Sequence, residues 1–109
     1  MKTALIVIDV QNDFCPGGAL AVNGGDEIIP LINVMWQHYD ARCLTQDWHP
    51  AGHSSFASSH EGKAPFDITK MFYGNQVLWP DHCIIGSNGA AFHPNLETDD
   101  ANILSLIHI

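Results

Sequence analysis

The sequence predicts an α/β domain built on a parallel sheet, and three observations carry that expectation. A nearly unbroken run of Leu, Ile and Val occupies residues 4–10, an amphipathic stretch begins near Asp26, and a second short apolar run lies at 42–45. Unbroken apolar runs are the pattern of strands covered on both faces, and strand, helix, strand in that order forms a βαβ unit.

Each element has its own reason. Ala4 to Val10 is the first strand. Gln11 to Gly25 is rich in Gly and Asn and contains Pro16, so the chain leaves the strand's carboxyl end through a long loop, where ligands gather in open α/β sheets. Ile28, Leu31, Ile32, Met35 and Tyr39 recur at three- and four-residue intervals, which predicts a helix with Pro30 in its first turn. Arg42 to Thr45 is the second strand. Residues 46–95 lack regular periodicity yet hold His49, His53, His60, His82 and His93 together with Pro50, Pro65, Pro80 and Pro94. So long a connection is expected to be a site-forming loop, with short helical turns near Ser54 to Ser59 and Gly89 to Phe92.

Composition narrows the function. The 109 residues suffice for one small domain, and 46% of them are hydrophobic. Four Lys and Arg against 12 Asp and Glu give a net charge of −8, which repels nucleic acid and anionic membrane surfaces and favours a small-molecule partner. The opening apolar run is too short to span a membrane and lacks a signal-peptide cleavage pattern, so a cytoplasmic location is expected. Cys15, Cys43 and Cys83 are an odd number without a CxxC pair and are expected to stay reduced.

Chemistry concentrates in Asp47-Trp48-His49-Pro50-Ala51-Gly52-His53 and Trp79-Pro80-Asp81-His82. Asp47 and His49 are two apart, so on extended backbone they point to the same side. With His82 they make a carboxylate and two imidazoles, a donor set that suits Zn²⁺, Fe²⁺ or Mn²⁺ better than an all-oxygen cage suits Mg²⁺ or Ca²⁺. His53 joins them as a direct ligand, a ligand through water or an outer partner. Asp9 ends an apolar strand, where a carboxylate is costly unless paired or used; it is read as either a loop cap or a reactive group. Phe14 and Trp79 are candidate walls of a pocket for an aromatic substrate, or simply core. Cys83 follows His82 directly and so points away from it, Cys43 lies on a strand, and no cysteine is expected to be a nucleophile.

These segments resemble the nicotinamidases (pyrazinamidases) of the isochorismatase-like cysteine hydrolases. The likeness spans Thr3 to about Thr98 and rests on Asp9-Val10-Gln11-Asn12-Asp13-Phe14, Gly17-Gly18-Ala19-Leu20-Ala21-Val22, Gln46-Asp47-Trp48-His49-Pro50, His53-Ser54-Ser55-Phe56-Ala57 and Trp79-Pro80-Asp81-His82-Cys83. The resemblance implies the N-terminal part of a three-layer, parallel-sheet fold and hydrolysis of nicotinamide to nicotinate and ammonia in NAD salvage. It implies Asp9 as catalytic acid/base, Asp47, His49 and His82 as ligands of a divalent metal (zinc foremost, iron or manganese as alternatives), and His53 as a further metal-site residue. Phe14 and Trp79 become the aromatic walls, and a homo-oligomer is implied for the full-length protein.

The chain departs from that pattern in one respect. The family's lysine lies on a strand expected after Ile103 and its nucleophilic cysteine at the start of a later helix, so the 109 residues are expected to be inactive alone. Leu104 to Ile109 match the translation of a widely used transposase adapter. The hydrolase domain is therefore expected to occupy 1–103 and a non-native tail 104–109, a genuine third strand being the competing reading. Two rival functions remain at this level: a sister isochorismatase-like amide hydrolase, and a non-catalytic metal-binding piece.

Overall fold

A computed structural model describes residues 1–107, so His108 and Ile109 of the expected tail lie outside the described residues. Strand β1 (Ala4–Ile8) pairs in parallel with β2 (Ala41–Asp47), and β2 pairs in parallel with β5 (Asn102–Leu106), giving the order β1-β2-β5. An antiparallel hairpin, β3 (Ile68–Met71) and β4 (Gly74–Val77), stands apart from this sheet. The parallel α/β arrangement is the one the sequence predicts.

The details differ in instructive ways. Strand β1 is covered on one face only: Leu5 and Val7 are buried while Ile6 and Ile8 are more than half exposed. It stops at Ile8 because Asp9 turns into the left-handed region, with φ 56°. The predicted helix is three pieces, 3-10 turns at Gly25–Ile28 and Trp36–His38 flanking α1 (Ile29–Met35), with Pro30 in the first turn of α1. Its inward face is also rotated from the one expected. Ile29 and Trp36, seven apart, are buried and join Leu5, Val7, Val10, Leu44 and Leu96 in the core, whereas Ile28 and Leu31 face outward. Ile32, Met35 and Tyr39 pack against this core as expected.

Strand β2 runs two residues further toward the site than the apolar pattern suggested, carrying Asp47 as its last residue. Residues 46–95 are not all loop: the β3–β4 hairpin was missed, a 3-10 turn forms at Ala57–Ser59, and Gly89 to Phe92 is a turn without helix. Residues Asn102–Leu106, most of which were assigned to the tail, pair with β2.

Candidate metal centre and substrate cavity

The carboxyl ends of β1 and β2 deliver the site. Asp9 follows β1, and its backbone N–H donates to the carbonyl of Thr45 (3.1 Å) while the Thr45 hydroxyl donates to Asp9 Oδ1 (2.7 Å). Asp47 ends β2. His49 is held two residues on by bonds to another segment: its N–H donates to the Cys83 carbonyl and its carbonyl accepts from Ile85 N–H, both at 2.8 Å. That bridge places His82 beside His49, with ring centroids 4.9 Å apart.

Asp47, His49 and His82 are all buried, and one potential ligand atom from each lies within 4.8 Å of the others. The local bonding fits a cation. His82 Nδ1 lies 2.7 Å from the Pro80 carbonyl oxygen, which only accepts, so Nδ1 carries a proton. His82 Nε2 then faces Asp47 Oδ2 at 3.1 Å, lone pair toward carboxylate, unless a proton or a metal ion stands between them. Asp47 Oδ1, 3.4 Å from His49 Nδ1, is buried with no hydrogen-bond partner among the described residues. A buried carboxylate oxygen is costly without a partner, and a divalent ion supplies one.

The same surroundings move His82's pKa. Burial by itself lowers it, but the hydrogen bonds to Asp47 and the Pro80 carbonyl and the negative charges of Asp47 and Asp13 outweigh burial, leaving it above the ordinary 6.5. The Cys83 thiol is raised as well, here with burial acting in the same sense as the charges: burial, then the charges of Asp47, Asp13 and Asp9, push it far up, so it stays protonated and unreactive. Burial and Asp26 also raise the Cys15 thiol.

A cavity of about 630 Å³ opens over the three residues. Asp9, Phe14 and Trp79 line it with Asp47, His49 and His82, so six of the seven sequence-predicted residues share one space. His53 stands outside the converging trio. Its ring is 5.0 Å from that of His49, and its Nδ1 accepts from Ser55 N–H (3.1 Å) and lies 2.8 Å from Ser55 Oγ. Thr45, Phe56 and the hairpin wall of Tyr73, Asn75, Gln76 and Val77 were missed by sequence reasoning. Phe56 is fully buried, its ring 5.1 Å from that of His49 and 5.5 Å from that of His82. The signal the sequence offered for it was its place in the segment His53-Ser54-Ser55-Phe56-Ala57. Among the described residues lining the cavity there is neither cysteine nor lysine.

A parallel sheet with a buried carboxylate and two imidazoles at its carboxyl end defines an α/β domain with a candidate divalent-metal centre. Its fold is that of an isochorismatase-like hydrolase from Alkaliphilus metalliredigens, with a TM-score of 0.65 at 24% identity over 97% of this chain and 52% of the other. No protein-family model matches the chain. It is 54% identical over 101 residues to the nicotinamidase of Acinetobacter baylyi, covering 93% of this chain and 47% of that protein. A solved nicotinamidase/pyrazinamidase of Acinetobacter baumanii superposes with a TM-score of 0.88 at 52% identity, over 94% of this chain and 50% of the other. A pyrazinamidase of Pyrococcus horikoshii, solved in complex with zinc, superposes with a TM-score of 0.71 at 37% identity over 98% and 52%. The chain is thus a homologue of the nicotinamidases and pyrazinamidases, and it spans about half the length of the curated relatives it matches.

Proposed function

We propose that the chain is the metal-holding and substrate-facing part of a nicotinamide amidohydrolase, acting on the amide of nicotinamide in NAD salvage in the cytoplasm. The observation that supports this most is the shared cavity, where a trio suited to a metal, two aromatic side chains and one carboxylate face the same space. Asp47, His49 and His82 hold zinc in this reading, and His53 is a packing neighbour of His49 rather than a ligand. When bound there, the metal would supply Lewis-acid chemistry to the substrate.

The chain's own residues do the remainder. Phe14 and Trp79 stack against the flat pyridine ring and exclude water from it. Asp9, fixed by the Thr45 hydroxyl at 2.7 Å, is the proton acceptor and donor beside the carboxamide. In this reading a thiol is the nucleophile of acyl transfer, and none of Cys15, Cys43 and Cys83 fills that role: none lines the cavity, and the thiols of Cys15 and Cys83 are raised. The 109-residue chain therefore binds nicotinamide without turning it over. We also propose that residues 104–109 are foreign to the domain, since backbone pairing in β5 suits any β-forming apolar run; long-read sequencing of the source DNA across the Ile103 codon tests this.

The functional test joins two readouts. Zinc-loaded chain is titrated with nicotinamide by ligand-observed NMR and assayed for ammonia, beside a chimera carrying the second half of the Acinetobacter baylyi nicotinamidase. Metal-dependent binding without ammonia, and ammonia release by the chimera, are expected. Ammonia from the chain alone, or no binding in either protein, contradicts the proposal.

A further inference from the structure

The loop that follows β1 sends alternate side chains, Asp9, Gln11 and Asp13, toward the site, yet only Asp9 reaches the cavity. Gln11 is completely buried, and its amide behaves as one more peptide unit added beside the end of β2. Its Oε1 accepts from Asp47 N–H, and its Nε2 donates to the carbonyls of Asp47 and Ala90, all at 2.8 Å. Both amide protons and the carbonyl are thereby engaged. Glu in its place lacks the donors, and Asn is one methylene too short to span the same three partners.

Asp13 performs the parallel task on the other ligand-bearing segment. Its Oδ2 accepts from Cys83 N–H at 2.7 Å and its Oδ1 from Ala19 N–H at 3.1 Å. Cys83 has φ 47°, a left-handed conformation that a residue with a side chain holds only when its surroundings impose it. The bond from Asp13 lies on that turned residue, immediately after His82. Gly89 packs so closely on Asp13 that a Cβ there would come within 2.2 Å of Oδ2, which shows how tightly the carboxylate is seated.

Asp47 and His82 are 35 residues apart, on segments whose backbones meet at the isolated bridge between His49 and Ile84 rather than in a strand pairing, with the backbone N–H groups of Asp47 and Cys83 themselves held by the β1 loop. We infer that the β1 loop is a bracket that sets the separation of these two segments, with Gln11 and Asp13 as positioning residues acting through the backbones of Asp47 and Cys83. The inference rests on reading Asp47, His49 and His82 as a metal centre. It adds that the affinity and geometry of that centre are determined by side chains that touch neither metal nor substrate.

Co²⁺ is the probe, because its visible absorption reports ligand geometry and a chelator competition gives its affinity. The 109-residue chain is compared with Gln11→Glu, Asp13→Asn and a control, Asn12→Ala, whose side chain donates to the Asn88 carbonyl at an exposed position. Gln11→Glu and Asp13→Asn are expected to weaken Co²⁺ binding by about 10- to 100-fold and to shift its visible bands, the range typical of outer partners of metal ligands. Asn12→Ala is expected to match the parent in both. Folded Gln11→Glu and Asp13→Asn proteins with parental affinity and bands overturn the bracket.

Amide hydrogen exchange separates this failure from failure of the metal reading. If the parent chain binds no Co²⁺, the metal centre is wrong, and the bracket is judged by whether Gln11→Glu speeds exchange at Asp47 N–H and Asp13→Asn at Cys83 N–H. Unchanged exchange at both overturns it. If a variant loses its fold, exchange in the parent decides: Asp47 and Cys83 amides as slow as those of β2 support the bracket, and free exchange at either refutes it.

Discussion

Zinc binding to the Asp47, His49 and His82 centre is expected to expel about one proton per ion from the Asp47–His82 pair at mildly acidic pH. The perturbation is pH itself. His82 Nδ1 is committed to the Pro80 carbonyl at 2.7 Å, so the proton at issue sits on Nε2, 3.1 Å from Asp47 Oδ2, where the metal must enter. This proton is held more tightly than on a free imidazole, because His82's pKa lies above 6.5. Below that raised pKa, each pH unit lowers apparent zinc affinity about tenfold, or about 1.4 kcal/mol. The metal-free fold responds in the opposite sense. A histidine whose folded pKa is raised contributes stability that is fully present below its unfolded value and is lost as pH rises through the folded value. Raising pH through that window therefore weakens the metal-free chain and strengthens the metal complex. Calorimetric zinc titrations in two buffers of different ionisation enthalpy, from about pH 7.5 to about pH 5.5, give both the affinity slope and the proton count. Tight binding with no pH dependence and no proton release refutes the assigned tautomer and the cation position between these two atoms.

Four further outcomes follow from the same geometry. Asp47→Asn removes the only carboxylate of the trio and is expected to cost at least about 100-fold in zinc affinity, near 2.8 kcal/mol by chelator competition. Phe56→Ala opens a cavity at a fully buried ring beside both His49 and His82 and is expected to cost about 3–5 kcal/mol in a denaturant melt. Cys83, fully buried with a raised thiol pKa, is expected to resist alkylation until the chain unfolds, while the half-buried Cys43 reacts first; peptide mapping of alkylated thiols reads the order. Trp79→Ala is expected to weaken nicotinamide binding by about tenfold, typical of a lost stacking surface, without changing zinc stoichiometry.

How much of this was legible in the sequence varies with the physics involved. Strands β1 and β2 and the positions of Asp9, Asp47 and His49 follow from an apolar run, a period of two and the rule that ligands gather at the carboxyl ends of parallel strands. The one-sided burial of β1 was not legible, because an apolar run does not state what covers each face, and Ile6 and Ile8 remain exposed. The inward face of the helical stretch was read only in part, at Ile32, Met35 and Tyr39, because Ile28 and Ile29 adjoin and the 3-10 turn before α1 rotates the choice to Ile29. The β3–β4 hairpin was hidden because Lys70, Asn75 and Gln76 break its alternation and its burial is slight. Gln11 and Asp13 escaped notice because their partners, Asp47 and Cys83, are brought to them only by the tertiary fold.

X-ray absorption at the zinc edge, made on the 109-residue chain loaded with one equivalent of zinc, reads the ligands of the centre themselves. About one tightly bound ion per chain is expected, with two imidazole nitrogens and oxygen in its shell and no sulfur. A sulfur scatterer from Cys15, Cys43 or Cys83, or zinc removed by simple desalting, would contradict a centre built from Asp47, His49 and His82.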